Sequence, residues 1–62
     1  MLITVRCYLI PADVTFDLND VHETYDQNNM TIVQFNNGQD IVVDRQHYLA
    51  EKAKIRRLNE TN

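Results

Sequence analysis

Apolar and polar residues alternate along most of the first 43 positions of the chain, a pattern typical of β-strands with one buried face. The clearest alternation predicts a first strand over residues 2–10, with Ile3, Val5, Cys7 and Leu9 on a wholly apolar face. Further strands are predicted at residues 14–18, 21–25, 30–36 and 39–43. Between them lie turn-forming stretches such as Pro-Ala-Asp and Asp-Gln-Asn-Asn.

The dipeptide Asn37-Gly38 sets the expected register of the last two strands. As the loop of a two-residue type I′ turn, it places Phe35 opposite Asp40 and Val33 opposite Val42. Both faces of this hairpin then carry apolar side chains. One face has Val33, Phe35 and Val42, and the other has Met30, Ile32, Ile41 and Val43.

A helix is predicted over residues 45–58, because Asp44 is a good N-cap and strong helix formers follow it. On a helical projection one apolar stripe holds Tyr48, Ile55 and Leu58, and another holds Leu49 and Ala53. The predicted fold is therefore α+β, a small three- to four-stranded antiparallel sheet followed by one C-terminal helix, in a single domain over residues 1–62.

Length and composition limit how such a fold can be stabilised. A chain of 62 residues has a small core, and its one cysteine, Cys7, cannot form an internal disulfide. Association with another chain is the remaining means of stabilisation. The apolar start is too short for a membrane span and has no signal-peptide pattern, so we expect a cytoplasmic protein without a membrane span.

The ionisable residues predict neither an enzyme nor a metal site. His22 and His47 lack the spacing of metal ligands, and Cys7 lies on an apolar strand face, where a thiol is unreactive. A single glycine excludes a glycine-rich phosphate loop. We therefore expect no catalytic residues, no cofactor and no bound metal.

Charge is distributed unevenly along the chain. Residues 1–44 carry seven acids and one base, whereas residues 45–62 carry five bases and two acids. Four of these bases could contact nucleic acid or a protein partner: Lys52, Lys54, Arg56 and Arg57. The net charge of −3 and the pI near 5.0 argue against nucleic acid, and the bases also suit the C-terminal end of a helix.

The order of elements over residues 14–57 resembles the FlbD-type family of small bacterial proteins. The shared features are the Leu18-Asn19 pair, the alternating strand before Asn37-Gly38, and the strand Ile41-Val42-Val43 that leads into the helix. The resemblance implies a small accessory protein without known enzymatic chemistry. Where that family has a short Asn-Gly turn after its first strand, this chain has Cys-Tyr-Leu-Ile-Pro-Ala-Asp, which predicts a longer first strand.

The apolar residues on both faces of the hairpin predict a protein-interaction surface, because a single helix can cover only one face. We expect a homo-oligomer whose interface comprises Met30, Ile32, Ile41 and Val43, with Leu2, Tyr8 and Ile10 as a second set. In the alternative, the strands curl around a barrel-like core and the chain is monomeric. The expected function is a non-enzymatic regulatory module that binds a protein partner of unknown identity; the alternative is a nucleic-acid-binding regulator that uses the basic helix.

Overall fold

The computed structural model describes residues 1–60, which form five strands and one helix. The elements are β1 (Leu2–Arg6), β2 (Asp13–Asp17), a 3-10 turn (Leu18–Asp20), β3 (Val21–Gln27), β4 (Met30–Phe35), β5 (Asp40–Asp44) and α1 (Arg45–Glu60). β1 pairs with β2, and β3, β4 and β5 form a second sheet in that order. All pairs are antiparallel. The predicted α+β class is confirmed, with the strands divided between two sheets.

The first strand is shorter than predicted and ends at Arg6 instead of residue 10. The N–H of Cys7 still donates to the carbonyl of Ala12 on the β2 side at 2.8 Å, but the N–H of Tyr8 donates to the carbonyl of Val42 in β5 at 3.0 Å. The chain then bends around Pro11, where the Ala12 N–H donates to the Ile10 carbonyl. This bend ends the strand, and the bond from Tyr8 joins the two sheets.

The predicted register of the β4–β5 hairpin is wrong by one residue. Ile32 lies opposite Val42 and Val33 opposite Ile41. The loop has three residues instead of two, since the N–H of Phe35 donates to the Gln39 carbonyl at 2.8 Å and the N–H of Gly38 donates to the Phe35 carbonyl at 3.0 Å. Gly38 has a φ of 89°, the left-handed conformation expected at the last position of such a loop.

This register places one set of β4 and β5 side chains towards the interior of the molecule. We call it the inner face; it holds Thr31, Val33, Phe35, Ile41 and Val43. The fully or almost fully buried apolar core comprises Ile3, Val5, Val33, Val43 and Tyr48. Packed against this core are Val14, Phe16, Leu18, Val21, Phe35, Ile41 and Ile55. The core therefore receives side chains from both sheets and from α1.

The helix begins as predicted, after Asp44. The carboxylate of Asp44 accepts a hydrogen bond from the N–H of His47 at 3.3 Å, which satisfies one of the free donors of the first turn. Tyr48 and Ile55 pack into the core, as the first apolar stripe predicts. Leu58, assigned to the same stripe, is 63% exposed and does not pack against the core.

Three hydrogen bonds hold α1 against β1 and against the turn between β3 and β4. The Nδ1 atom of His47 accepts a hydrogen bond from the backbone N–H of Arg6 at 2.9 Å. At the start of the helix, the side chain of Arg45 donates through Nη1 to the carbonyl of Asn28 at 3.0 Å, and its N–H donates to the carbonyl of Asn29. The orientation of α1 is therefore fixed by polar groups as well as by apolar packing.

Candidate interaction surface

The three-stranded sheet has a second face, which we call the outer face. Cross-strand pairing places three rows of side chains on it. The central row is apolar and consists of Tyr25, Ile32 and Val42; the flanking rows are Glu23, Gln34 and Asp40, and Gln27, Met30 and Asp44. The outer face is thus an apolar strip bordered by polar and acidic residues, with Met30 as the one apolar residue in the flanking rows.

The central row remains partly exposed to solvent. Tyr25 is 48% exposed, and Ile32 and Val42 are half-buried. Beside Val42, the segment after β1 adds a shallow groove lined by Cys7, Leu9, Ile10, Asp40, Ile41 and Val42. Leu9 is 72% and Ile10 57% exposed, so the apolar surface continues past the edge of β5. Contiguous apolar surface of this kind marks interaction sites in small proteins.

The outer face is also uniformly acidic in its charged residues. Glu23 and Asp40 are exposed in one flanking row, and Asp44 is half-buried in the other. The neighbouring Glu23 carboxylate, through hydrogen bonding, raises the pKa of Tyr25 above its ordinary value. Any partner that covers the apolar strip therefore also meets carboxylates along its borders.

The four residues predicted to form the main oligomer interface lie on two different faces of the sheet. Met30 and Ile32 lie on the outer face. Val43 and Ile41 do not, because the one-residue change of register turns them to the inner face, where Val43 is fully buried and Ile41 packs against the core. Their assignment to a second, uncovered face was wrong.

The three residues of the second predicted interface set lie in two different parts of the surface. Tyr8 and Ile10 follow β1 and lie next to β5, beside the outer face. Leu2 is 66% exposed but borders a different groove, together with Ile3, Thr4, Glu51, Lys54 and Ile55. Leu2 is therefore not part of the surface around Ile32.

Three residues of the apolar surface were missed by the sequence analysis: Tyr25, Leu9 and Val42. Leu9 and Val42 were assigned to buried faces, Leu9 through an overlong first strand and Val42 through the wrong hairpin register. Tyr25 could have been identified as an interface residue from the sequence. It is an aromatic residue in a segment of otherwise polar character, and such residues commonly serve as contacts in interfaces.

The basic residues of α1 are divided between two sides of the helix. Lys52, Arg56 and Arg57 line one groove with Leu49 and Ala53. Lys54 lies on another side and donates to Glu51 at 2.8 Å, which lowers the pKa of the Glu51 carboxyl. We call the surface formed by Leu49, Lys52, Ala53, Arg56 and Arg57 the helix face.

The histidines and the cysteine do not form a common site. His22 is exposed and 3.9 Å from Glu23, His47 accepts the bond from Arg6, and Cys7 is half-buried beside β5. Within residues 1–60 no cluster of three or more histidine, cysteine, aspartate or glutamate side chains could hold a metal ion. Over the same residues, α1 lacks the length and apolar character needed to cross a membrane.

Comparison of the chain with protein-family models, with curated proteins and with solved structures finds no significant match. The resemblance to the FlbD-type family stays a prediction from the sequence.

Proposed function

We propose that this protein is a small, non-enzymatic interaction module that self-associates through the outer face of its three-stranded sheet and acts as a regulatory partner of another protein. The observation that carries the proposal is the apolar row Tyr25, Ile32 and Val42, which lies on the opposite face from the core; Tyr25 is 48% exposed, and Ile32 and Val42 are half-buried. The proposed location is the cytoplasm, as the sequence predicts.

The size of the protein supports self-association. Among residues 1–60, five apolar side chains are described as fully or almost fully buried, so the core has little surplus to offset the cost of exposing an apolar strip. A second copy would remove that strip from water, with a gain of roughly 25 cal/mol for each Å² of apolar surface buried. Small domains without disulfides or metals are commonly stabilised in this way.

The experiment is a measurement of molar mass by light scattering during size exclusion, over a range of protein concentrations. The wild-type chain is expected to have the mass of an oligomer, and Ile32→Asp and Tyr25→Asp that of a monomer, because each variant would bury an unpaired carboxylate in the interface. Tyr25 is about half exposed, so Tyr25→Asp retains the fold even if Ile32→Asp does not. Circular dichroism melting checks folding of each variant.

Leu2→Asp is the matched control. It places the same charge at an exposed apolar residue on another part of the surface and is expected to leave the mass unchanged. A wild-type chain that is monomeric at every concentration would contradict self-association. An oligomer that survives in folded Tyr25→Asp but dissociates in Leu2→Asp would move the interface to the other sheet.

A second candidate function is nucleic-acid binding, favoured by one observation: Lys52, Arg56 and Arg57 line a common groove. Phosphate contacts made there would weaken with added salt and with each lost charge. Titration of DNA and RNA at several salt concentrations, with Arg56→Ala and with Lys54→Ala as control, tests this function. Absence of binding at low salt excludes it.

A further inference from the structure

We infer that the helix face of a second copy of this chain is what occupies the outer face of the sheet. This inference rests on the proposed self-association and specifies its geometry. Two surfaces of the molecule have matching chemistry: an apolar strip bordered by acids on the sheet, and an apolar strip bordered by bases on α1.

The residues of the helix face are exposed. Leu49 and Ala53 are one helical turn apart and exposed, and Lys52, Arg56 and Arg57 surround them. The side of α1 that packs into its own molecule is a different one, defined by Tyr48 and Ile55. Lys52 lies 5.2 Å from the ring centroid of Tyr48, which holds its ammonium group near the helix surface.

The charges favour contact between the outer face and the helix face over contact between two outer faces or two helix faces. None of the nine residues that strand pairing places on the outer face is basic, and three of them are acidic. Two outer faces in contact would therefore bring carboxylates together without cations, and two helix faces would bring bases together. Like charges across an interface oppose association, whereas the sheet-to-helix contact pairs Glu23 and Asp40 with the bases of α1.

A contact between two different surfaces has a consequence that a contact between identical surfaces lacks. A defect in one surface leaves the other intact, so two variants with different defects can still bind each other. Tyr25→Asp removes the sheet surface and retains the helix face. Leu49→Asp does the reverse.

The experiment compares the molar masses of Tyr25→Asp, Leu49→Asp and their equimolar mixture. Each variant alone is expected to be monomeric, with self-association weakened by about a hundredfold or more, because a hydrated carboxylate replaces an apolar side chain at the centre of the contact. The mixture is expected to form a one-to-one heterodimer. Both substitutions add negative charge, so non-specific attraction between the variants does not explain such a complex.

Leu58→Asp is the matched control on the helix. Leu58 is exposed on α1 but does not line the groove of the helix face, so this variant is expected to associate like the wild type. Association of the wild type and of the heterodimer is expected to weaken as salt is added, because the acids and bases at the border are screened.

Three results would overturn the inference. If Leu49→Asp still associates while Tyr25→Asp does not, the outer faces bind each other, and the proposed function stands without this geometry. If each variant is monomeric and the mixture is too, the two surfaces do not bind. If the wild type itself is monomeric, the proposed function fails together with the inference.

Discussion

The inner and outer faces of the three-stranded sheet are built from the same strands and from similar side chains, yet they meet different surroundings. Val43 on the inner face is fully buried, whereas its neighbour Val42 on the outer face is only half-buried. The inner face is covered by β1, β2 and α1 of its own chain. On the outer face, Ile32 and Val42 are not among the described residues that pack against the core.

The difference shows that exposure here is decided by position, and not by side-chain type. Adjacent residues of a strand point to opposite sides, so a shift of one residue exchanges every side chain between core and surface. The apolar residues of the central row on the outer face, Tyr25, Ile32 and Val42, are not among those that form the core or pack against it. That is why we attribute an interaction to them.

The largest expected loss of stability is that of Val43→Ala, and its neighbour in β5, Val42, provides the comparison. Val43→Ala should lower the free energy of unfolding by about 2–3 kcal/mol, because it removes buried methyl groups and leaves a cavity. Val42→Ala should lower it by less than about 1 kcal/mol, since Val42 is not part of the core. Urea denaturation at low protein concentration measures both. Equal losses would contradict the assignment of the two faces.

A smaller effect is expected at the one polar side chain buried on the inner face. The hydroxyl of Thr31 donates to the carboxylate of Asp26 at 2.8 Å, and Thr31 is fully buried. Asp26→Ala should cost about 2 kcal/mol, because a buried hydroxyl loses its acceptor.

The matched variant Thr31→Val should cost less than about 1 kcal/mol, because it removes the buried polar group while the exposed Asp26 carboxylate stays hydrated. Thermal melts of both variants, compared with the wild type, measure this difference. A greater loss in Thr31→Val than in Asp26→Ala would show that the hydrogen bond itself, and not the unsatisfied donor, governs stability.

The smallest effect is expected at the loop that sets the register. Gly38→Ala should destabilise the protein by about 1 kcal/mol, because an L-residue is strained at a φ of 89°. A Cβ at this position would meet no atom within 4 Å, so the cost is confined to the backbone. Gln39→Ala, at an ordinary φ, is the control and should be nearly neutral. A fully stable Gly38→Ala would show that the loop tolerates another conformation.

Local pattern alone predicted much of the fold. Alternation located β2, β4 and β5 to within about a residue at each end, and the Asp44 cap located the start of α1. The strand and helix patterns also placed five residues that belong to the core or pack against it on apolar faces: Ile3, Val5, Val33, Tyr48 and Ile55. These features depend on neighbours a few positions away, so the sequence is sufficient to find them.

The candidate site was only partly predictable. Met30 and Ile32 were correctly placed on one face, because alternation within β4 does not depend on its partner strand. Ile41 and Val43 were placed wrongly, because an Asn-Gly pair fits both a two-residue and a three-residue loop. The grouping of Lys52, Arg56 and Arg57 apart from Lys54 also required the structure.

What the sequence by itself determined was which segments extend and where the helix begins. Which side chains of the β4–β5 hairpin are buried was decided only by the tertiary structure. The N–H of Asn36 donates to the carbonyl of Asp20 at 2.9 Å, from a part of the chain sixteen residues earlier, and so holds Asn36 within the loop. Because that contact is distant in sequence, no local pattern could reveal which valine of β5 would be buried.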